Sequence, residues 1–351
     1  MEDGKWMLVT GGTGFIGFTL VKRLISSGNS VRVITRGGNF HSEFENLRLE
    51  LPKSQLEVYI ADISVKDDIK QAFENVSYAF HVAALANIHS VPPYSAFEAA
   101  NITATKNICE LCVEHSIEKL IYISTCDVFG LPYKKSVFTE SSPYRPWSEP
   151  YADTKIQASL IVKDFQRLGL NSTILYPGWV YGPGDKAFLP SILEQMKSGF
   201  MPVWDRDKNH LCLVYIDDFI DAVFLAFESD KYDNEDFLIL DDDSRVCLRS
   251  LCKTLGDLFK MKYKVIHIPY RLAFTIAWIS EILIRLRIVK TPLLTTSDVK
   301  ALGMEFKYSA NKARNLLGWF VKEATYSGIL KWKSWYESQM AEISSSKNAT
   351  Q

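Results

Sequence analysis

Apolar positions along this chain alternate between two patterns. Short apolar runs at Met7 to Thr10, Ser30 to Thr35, Leu56 to Ile60, Tyr78 to His81 and Leu120 to Thr125 have the length and β-branched content of strands buried on both faces. Between them lie stretches with helical spacing: Phe18 to Gly28, Phe97 to Val113, and Tyr151 through Ile161 and Phe165 toward Leu168. Strands alternating with helices in this way predict an α/β architecture, a doubly wound parallel sheet covered on both faces. Ligands of such sheets bind beyond the carboxyl ends of the strands.

Candidate chemistry gathers at those ends. Gly11, Gly14 and Gly17 stand three residues apart between the first strand and first helix, with Thr13, Phe15 and Ile16 in the same turn. Such glycines let the chain turn sharply, admit a pyrophosphate and seat the helix close to the strand. The unpaired N–H groups of the helix start attract a phosphate. Arg36 follows the second strand, where the chain turns over an adenosine ribose. An acidic side chain there would accept from the ribose hydroxyls, whereas Arg can pair with a 2′-phosphate, which favours NADP(H) over NAD(H). A solvated loop cation is the alternative.

Asp62 and Ile63 follow the third strand, where the carboxylate can accept from an adenine amino group or cap the next helix. Val82, Ala83 and Ala84 are small enough for a cofactor to pass, and His81 before them reads as structural. Asn101 lies near the start of the Phe97 to Val113 helix, and Ser124 and Thr125 end the fifth strand in hydroxyls. The stretch from Cys126 to Pro150 lacks periodicity and is long enough to cover a site. It leads into Tyr151-Ala-Asp-Thr-Lys155, which puts a phenol and an ammonium on one helix face. An ammonium beside a phenol favours the phenolate, lowering the Tyr pKa, and can also hold a nicotinamide ribose.

Composition narrows the class. At 351 residues with 47% hydrophobic content the chain can bury a substantial core, and its net charge of -1 gives no overall attraction to nucleic acid. Six cysteines scattered through regular segments suit a reducing compartment. Cys109 and Cys112 have metal-like spacing, but with no matching second pair they read as core, and no metal is expected. The chain opens directly on the first strand, without a basic segment and apolar signal core, so a cytoplasmic protein is expected.

Taken in order, Thr10 to Gly17, Asp62, His81 to Ala84, Asn101, Ser124-Thr125 and Tyr151-x-x-x-Lys155 resemble the extended short-chain dehydrogenase/reductase family, whose fold is of the Rossmann type. Tyr176-Pro177-Gly178-Trp179-Val180-Tyr181 is similar to the family segment that passes the nicotinamide, which implies cofactor contacts from Tyr176, Pro177 and Val180. Val214 to Asp218 resembles the next landmark. The resemblance implies that Tyr151 is the general acid in ketone reduction, or the base in alcohol oxidation. Lys155 would lower its pKa and bind ribose, and Thr125 would hydrogen-bond the substrate oxygen, with Ser124 as the fallback. Cys126 and Asp127 stand where sugar-nucleotide dehydratases carry Asp and Glu, which disfavours that elimination. Tyr176 and Tyr215 replace Arg and His of many relatives and can both be packing aromatics.

The C-terminal half, with Ile268-Pro269-Tyr270, the apolar stretch from Leu272, Lys290 to Leu294 and Phe306 to Trp319, resembles the 3β-hydroxysteroid dehydrogenase and sterol or 3-ketoacid reductase branch. Leu272 to Ile288 carries Glu281, Arg285 and Arg287, so it is a poor membrane span. A lid, a membrane-surface contact and an amphipathic core helix are the readings that remain. The expected division is a cofactor domain over 1–177 with returning segments near 211–240, a mostly helical substrate lobe over 178–210 and 241–343, and a flexible tail at 344–351. The expected function is NADP(H)-favouring reduction of a ketone, or the reverse, on a hydrophobic molecule such as a sterol, terpenoid, polyketide or 3-ketoacid. The alternatives are a nucleotide-sugar epimerase or decarboxylase with retained NAD, and a non-catalytic sensor of the cofactor. The resemblance also implies a homodimer through the helices at Phe97 to Val113 and Tyr151 to Leu168.

Overall fold

The computed structural model describes residues 6–37, 40–86, 92–133, 137–204, 209–286, 288–289 and 294–348. The N-terminal half alternates strands and helices: β1 (Trp6–Thr10), α1 (Phe15–Ser26), β2 (Ser30–Thr35), α2 (Ser42–Glu50), β3 (Leu56–Ile60), α3 (Lys66–Ile69) and β4 (Val76–His81). Then come α4 (Tyr94–Phe97), α5 (Ala104–Glu114), β5 (Lys119–Ile123), α6 (Pro150–Arg167) and β6 (Ser172–Pro177). The later elements are β7 (Trp179–Tyr181), α7 (Phe188–Lys197), β8 (Phe200–Val203), β9 (Leu213–Tyr215), α8 (Ile216–Glu228), β10 (Asp236–Ile239) and α9 (Leu248–Leu258). Last come β11 (Lys264–His267), α10 (Tyr270–Arg285), α11 (Thr296–Gly303) and α12 (Thr325–Asn348).

Seven strands form one parallel sheet in the order β10-β6-β5-β4-β1-β2-β3. The expected doubly wound parallel sheet is therefore present, and all five strands expected from the apolar runs belong to it. β1 and β5 are buried almost throughout, as parallel strands covered on both faces must be. The strand order reverses direction between β1 and β4, and the crevice at such a switch point is where ligands bind.

Two expected elements are altered, each by a side chain. The single helix expected over Phe97 to Val113 begins as α4, widens into a π-helical turn over Glu98–Thr103 and continues as α5. Asn101 lies in that wider turn, which frees its side chain to bond backbone elsewhere. The strand expected to reach Thr125 ends at Ile123, because the Thr125 side chain accepts from the Asp127 N–H and caps a short 3₁₀ turn.

The C-terminal lobe is mostly helical, with two small parallel pairs, β7 with β9 and β8 with β11. Trp319 ties it to α8, its indole donating to Asp218 O at 2.7 Å, while the indole of Trp332 donates to Asp185 O, in the loop before α7, at 3.0 Å. Helix α12 runs through Asn348, so the tail expected at 344–351 starts inside a helix. Helix α10 buries Ala273 and Ala277 against Trp204 and Val299, while Leu272, Trp278, Ile279 and Leu286 beyond it stay exposed. It is thus half a core helix with an apolar outer face. Arg287 of the expected lid or membrane contact, and 290–293 of the segment that carries the branch resemblance, lie outside the described residues.

At Gly17 a side chain has nowhere to go, since a Cβ would stand 2.1 Å from Gly11 O. Gly17→Ala is expected to destabilise the protein by about 1–3 kcal/mol through overpacking, read as a melting temperature several degrees lower. An unchanged melting temperature would contradict the close packing of α1 on the turn.

Candidate active site

A groove of about 800 Å³ opens at the switch point. Its floor is the turn between β1 and α1. Gly11 has φ +70°, and a Cβ there would come within 2.8 Å of Ala83 Cα, so the two strand ends meet with only backbone between them. Gly14, the N-cap of α1, supplies no side-chain cap, and the first turn contains no acidic residue. The first N–H groups of α1 therefore face the groove without a side-chain acceptor, and the helix end carries partial positive charge. A pyrophosphate fits this cradle on both counts.

Gly11, Thr13, Gly14, Phe15, Ile16, Gly17, Arg36, Ile63, Ala83, Ala84 and Tyr151 all border the groove. This is the part of the expected site that folding brings together. Asp62 is adjacent, but its Oδ1 accepts from the N–H and hydroxyl of Ser64, so its carboxylate serves the local turn; it does not cap α3, whose N-cap is Val65. Asn101 sits behind the groove as a brace. Its Oδ1 accepts from Leu85 N–H at 2.8 Å and its amide donates to Leu85 O and Thr154 Oγ1. His81, behind the same segment, is clamped between Thr10 Oγ1 at 2.7 Å and Thr105 Oγ1 at 3.0 Å. Burial and the nearby Lys155 push its pKa down to about 3, so it stays neutral and structural.

Tyr176 departs from its expected place. It is fully buried on β6, between β5 and the edge strand β10, bonded to Tyr144 and to Asp236 Oδ2, and acts as a packing aromatic. Pro177 and Val180 do not border the groove themselves; they belong to the chain leading to Pro183–Ala187, which does. Lys22, His41, Glu43, Lys186 and Trp335 also border it. Spacing offers no signal for Trp335, which arrives from α12, some 300 positions along the chain.

At the inner end of the groove Tyr151 stands at the start of α6, where the Glu149 side chain caps the helix by accepting from Ala152 N–H at 2.6 Å. The Tyr151 phenol has its pKa raised well above the usual value by burial, then by the nearby Asp127 and Glu149, while the Thr125 hydroxyl beside it pulls weakly the other way. The expected lowering by Lys155 is absent from this geometry. Lys155 donates from Nζ to Ile123 O at 2.6 Å and lies 4.2 Å from the Tyr122 ring centroid, and burial lowers its own pKa to about 7. Thr125 donates to Asp127 Oδ2 at 3.1 Å, whereas Ser124 is turned inward onto Ser159 at 2.8 Å. The structure thus sets Thr125, and not Ser124, beside the phenol.

Two carboxyls flank the pair. Burial raises the pKa of Asp127, and it raises that of Glu149 to about 7. Asp127 also borders a cavity of about 30 Å³, room for about one water molecule, whose walls include Cys126, Trp147, Trp179, His210, Phe306 and Tyr308. Cys109 and Cys112 are buried within α5, as core residues.

A glycine-floored phosphate cradle joined to a Tyr, Lys and Thr cluster defines a dinucleotide-dependent oxidoreductase site. The chain belongs to the NAD dependent epimerase/dehydratase family, whose model matches residues 7–239. It is 28% identical over 338 residues to a sterol-4-alpha-carboxylate 3-dehydrogenase, decarboxylating, of Mus musculus, covering 91% of this chain and 87% of that protein. It is 25% identical to a 4-hydroxy-2-methyl-3-oxo-4-farnesyl-3,4-dihydroquinoline-1-oxide ketoreductase of Stigmatella aurantiaca, covering 92% and 93%. Among solved structures, UDP-glucose 4-epimerase of Thermotoga maritima has a TM-score of 0.75 at 24% identity, covering 95% of this chain and 99% of that one.

A carboxyl whose folded pKa lies above its unfolded value binds its proton more tightly in the native state, so that contribution to stability fades as pH rises through the folded pKa. For Glu149 the window runs from about 4.5 to about 7. Glu149→Gln keeps an oxygen for the Ala152 N–H and removes the titration. Denaturant unfolding at pH 5 and pH 8 should show the variant gaining on the wild type by up to about 3 kcal/mol across that window, and parallel pH profiles would refute it.

Proposed function

We propose that this protein is an NAD(P)-dependent oxidoreductase that reduces a ketone, or oxidises a secondary alcohol, on a hydrophobic small molecule such as a sterol, terpenoid, polyketide or 3-ketoacid. The observation that carries this reading is Tyr151, a phenol that burial keeps protonated at the border of the glycine-floored groove. A protonated phenol is a donor, and reduction of a carbonyl needs a donor at the oxygen that becomes negative. The named activities of the two relatives, on a sterol carboxylate and on a farnesylated quinoline oxide, support an apolar substrate.

When bound, the nicotinamide supplies or accepts the hydride. Tyr151 gives its proton to the substrate oxygen in reduction and takes it back in oxidation. Thr125, whose one hydroxyl proton goes to Asp127 Oδ2 in the structure, turns that proton to the substrate oxygen and holds it beside the phenol. Lys155 is anchored on Ile123 O beneath Tyr151, where it can hold the ribose and, as an ammonium, stabilise the phenolate left after proton transfer.

The finer assignments follow the same geometry. Arg36 borders the groove just after β2, which supports NADP(H) as the preferred cofactor. Val113, Leu160 and Leu168 are exposed apolar positions on α5 and α6, which supports a homodimer through those helices. Among the described residues no helix is long and apolar enough to cross a membrane. The exposed Leu272, Trp278, Ile279 and Leu286 support contact of α10 with a membrane surface.

Replacing Tyr151 with Phe keeps the ring and removes the proton, so turnover on an apolar ketone should fall about 10²-fold or more while dinucleotide affinity is kept. Near-normal turnover would remove Tyr151 from the reaction. Mass spectrometry of the nucleotide released on denaturation provides a separate check. An empty or NADPH-exchanging site fits a reductase, and tightly retained NAD would favour an epimerase or decarboxylase that returns the hydride within one cycle.

A further inference from the structure

Strand β5 offers the ammonium of Lys155 two groups in succession. Nζ donates to Ile123 O at 2.6 Å, and it stands over the ring of Tyr122, 4.2 Å from the centroid and well inside the reach of a cation–π contact. Both side chains are fully buried. No carboxylate offsets the loss of water, since burial is the single influence on the Lys155 pKa. A ring face can favour a buried cation without bringing a second charge into the core. The Tyr122 hydroxyl has no hydrogen-bond partner among the described residues, so the ring and not the oxygen is the part in use.

The ring is itself braced. The parallel register sets Tyr122 opposite His81 of β4, and the two rings stack with centroids 5.4 Å apart. Thr105 spends its one hydroxyl proton on Asn101 O at 2.6 Å, so at 3.0 Å it accepts from His81 Nε2. His81 Nδ1 is then the acceptor, taking the Thr10 hydroxyl proton at 2.7 Å. His81 thus lies against Tyr122 as a fixed, uncharged plate, not as a second cation near Lys155.

We propose that Tyr122 is a positioning residue: the face of its ring holds Lys155 Nζ in place and favours the ammonium, the form that stabilises the phenolate left when Tyr151 gives up its proton. The role in proton transfer rests on the oxidoreductase reading, whereas the pairing of ring and ammonium does not. Removing the ring face disfavours the charged form, so the Lys155 pKa, about 7 with the ring present, moves down, and ketone reduction falls off at lower pH. The titratable groups around the pair are His81 of β4, Cys109 of α5, Tyr144 and Tyr151. Burial keeps all four uncharged through this range, lowering the histidine and raising the others. Asp127 and Glu149 act on Tyr151, and Glu149 also titrates at about 7, so turnover has to be paired with a direct titration of Lys155.

The test labels the lysines at Cε, assigns the Lys155 NMR signal through Lys155→Gln, and follows it against pH in the wild type, Tyr122→Phe and Tyr122→Leu. Profiles of apolar-ketone reduction against pH are measured on the wild type and the two Tyr122 variants. Tyr122→Phe keeps the ring and should leave both titrations unchanged. Tyr122→Leu should lower the Lys155 pKa by about one pH unit and turnover at pH 8 about tenfold, with turnover at pH 6 and the cofactor KM changed only about twofold. A series of increasingly fluorinated phenylalanines at position 122 keeps the volume and drains the ring face, which covers a failure of Tyr122→Leu to fold. Along that series the Lys155 pKa should fall stepwise. An unmoved pKa in Tyr122→Leu or along the series would overturn the proposal, as would a loss in Tyr122→Phe equal to that in Tyr122→Leu. A Lys155 pKa that moves as expected in a protein whose wild type reduces no apolar ketone would instead bring down the oxidoreductase reading and leave the pairing in place.

Discussion

The structure depends on the approach of two backbones at the switch point of the sheet. Gly11 and Ala83 lie so close that a single added Cβ would collide, and Gly17 seats α1 onto the same turn with no room to spare. That approach closes the floor of the groove and aims the α1 N-terminus along it. What remains of the site is arranged to hold the contact in place. His81 ties β1 to α5 through Thr10 and Thr105, and Asn101 ties the 82–86 segment to α6 through Leu85 and Thr154. These buried polar groups are bonded on both sides, the condition under which such networks rigidify a core instead of weakening it.

The reactive end of the site carries a different electrostatic balance from the cofactor end. Around Tyr151, burial dominates: the phenol keeps its proton, Glu149 sits near neutrality and Lys155 is held on a carbonyl instead of on the phenol. Low dielectric suits a proton donor and strengthens any charge that later enters. Elsewhere along the groove Lys22, Arg36 and Lys186 are exposed cations, and burial together with Lys186 lowers the pKa of His41.

The C-terminal lobe connects the two ends. Trp319 donates to Asp218 of α8, Trp332 to Asp185 in the loop before α7, and Trp335 reaches Glu43 at the border of the groove. Helix α12 thus forms part of the outer wall of the groove, though it is the last element of the chain. An interlock of this kind packs the C-terminal helix against elements of the N-terminal half at the groove.

Local rules in the sequence were enough for the parallel sheet, the glycine turn and the place of Tyr151, because apolar run length, three-residue glycine spacing and an i,i+4 pair each follow from the geometry of one element. Asn101 and Thr125 were legible as polar residues near element ends, but not as a brace and a helix cap, since each role depends on a partner the spacing does not name. Tyr176 shared a strand with plausible cofactor contacts, and only the order β10-β6-β5 showed that its side chain meets Asp236 at the sheet edge instead. Likewise the ammonium of Lys155 faces Ile123 O, and Trp335 and Lys186 join the groove from distant segments. The sequence by itself determined which elements form and where they turn, since these follow from neighbours along the chain. Only the tertiary structure decided which side chains share a cavity and which charges stay unpaired, because burial and electrostatics depend on distance through space.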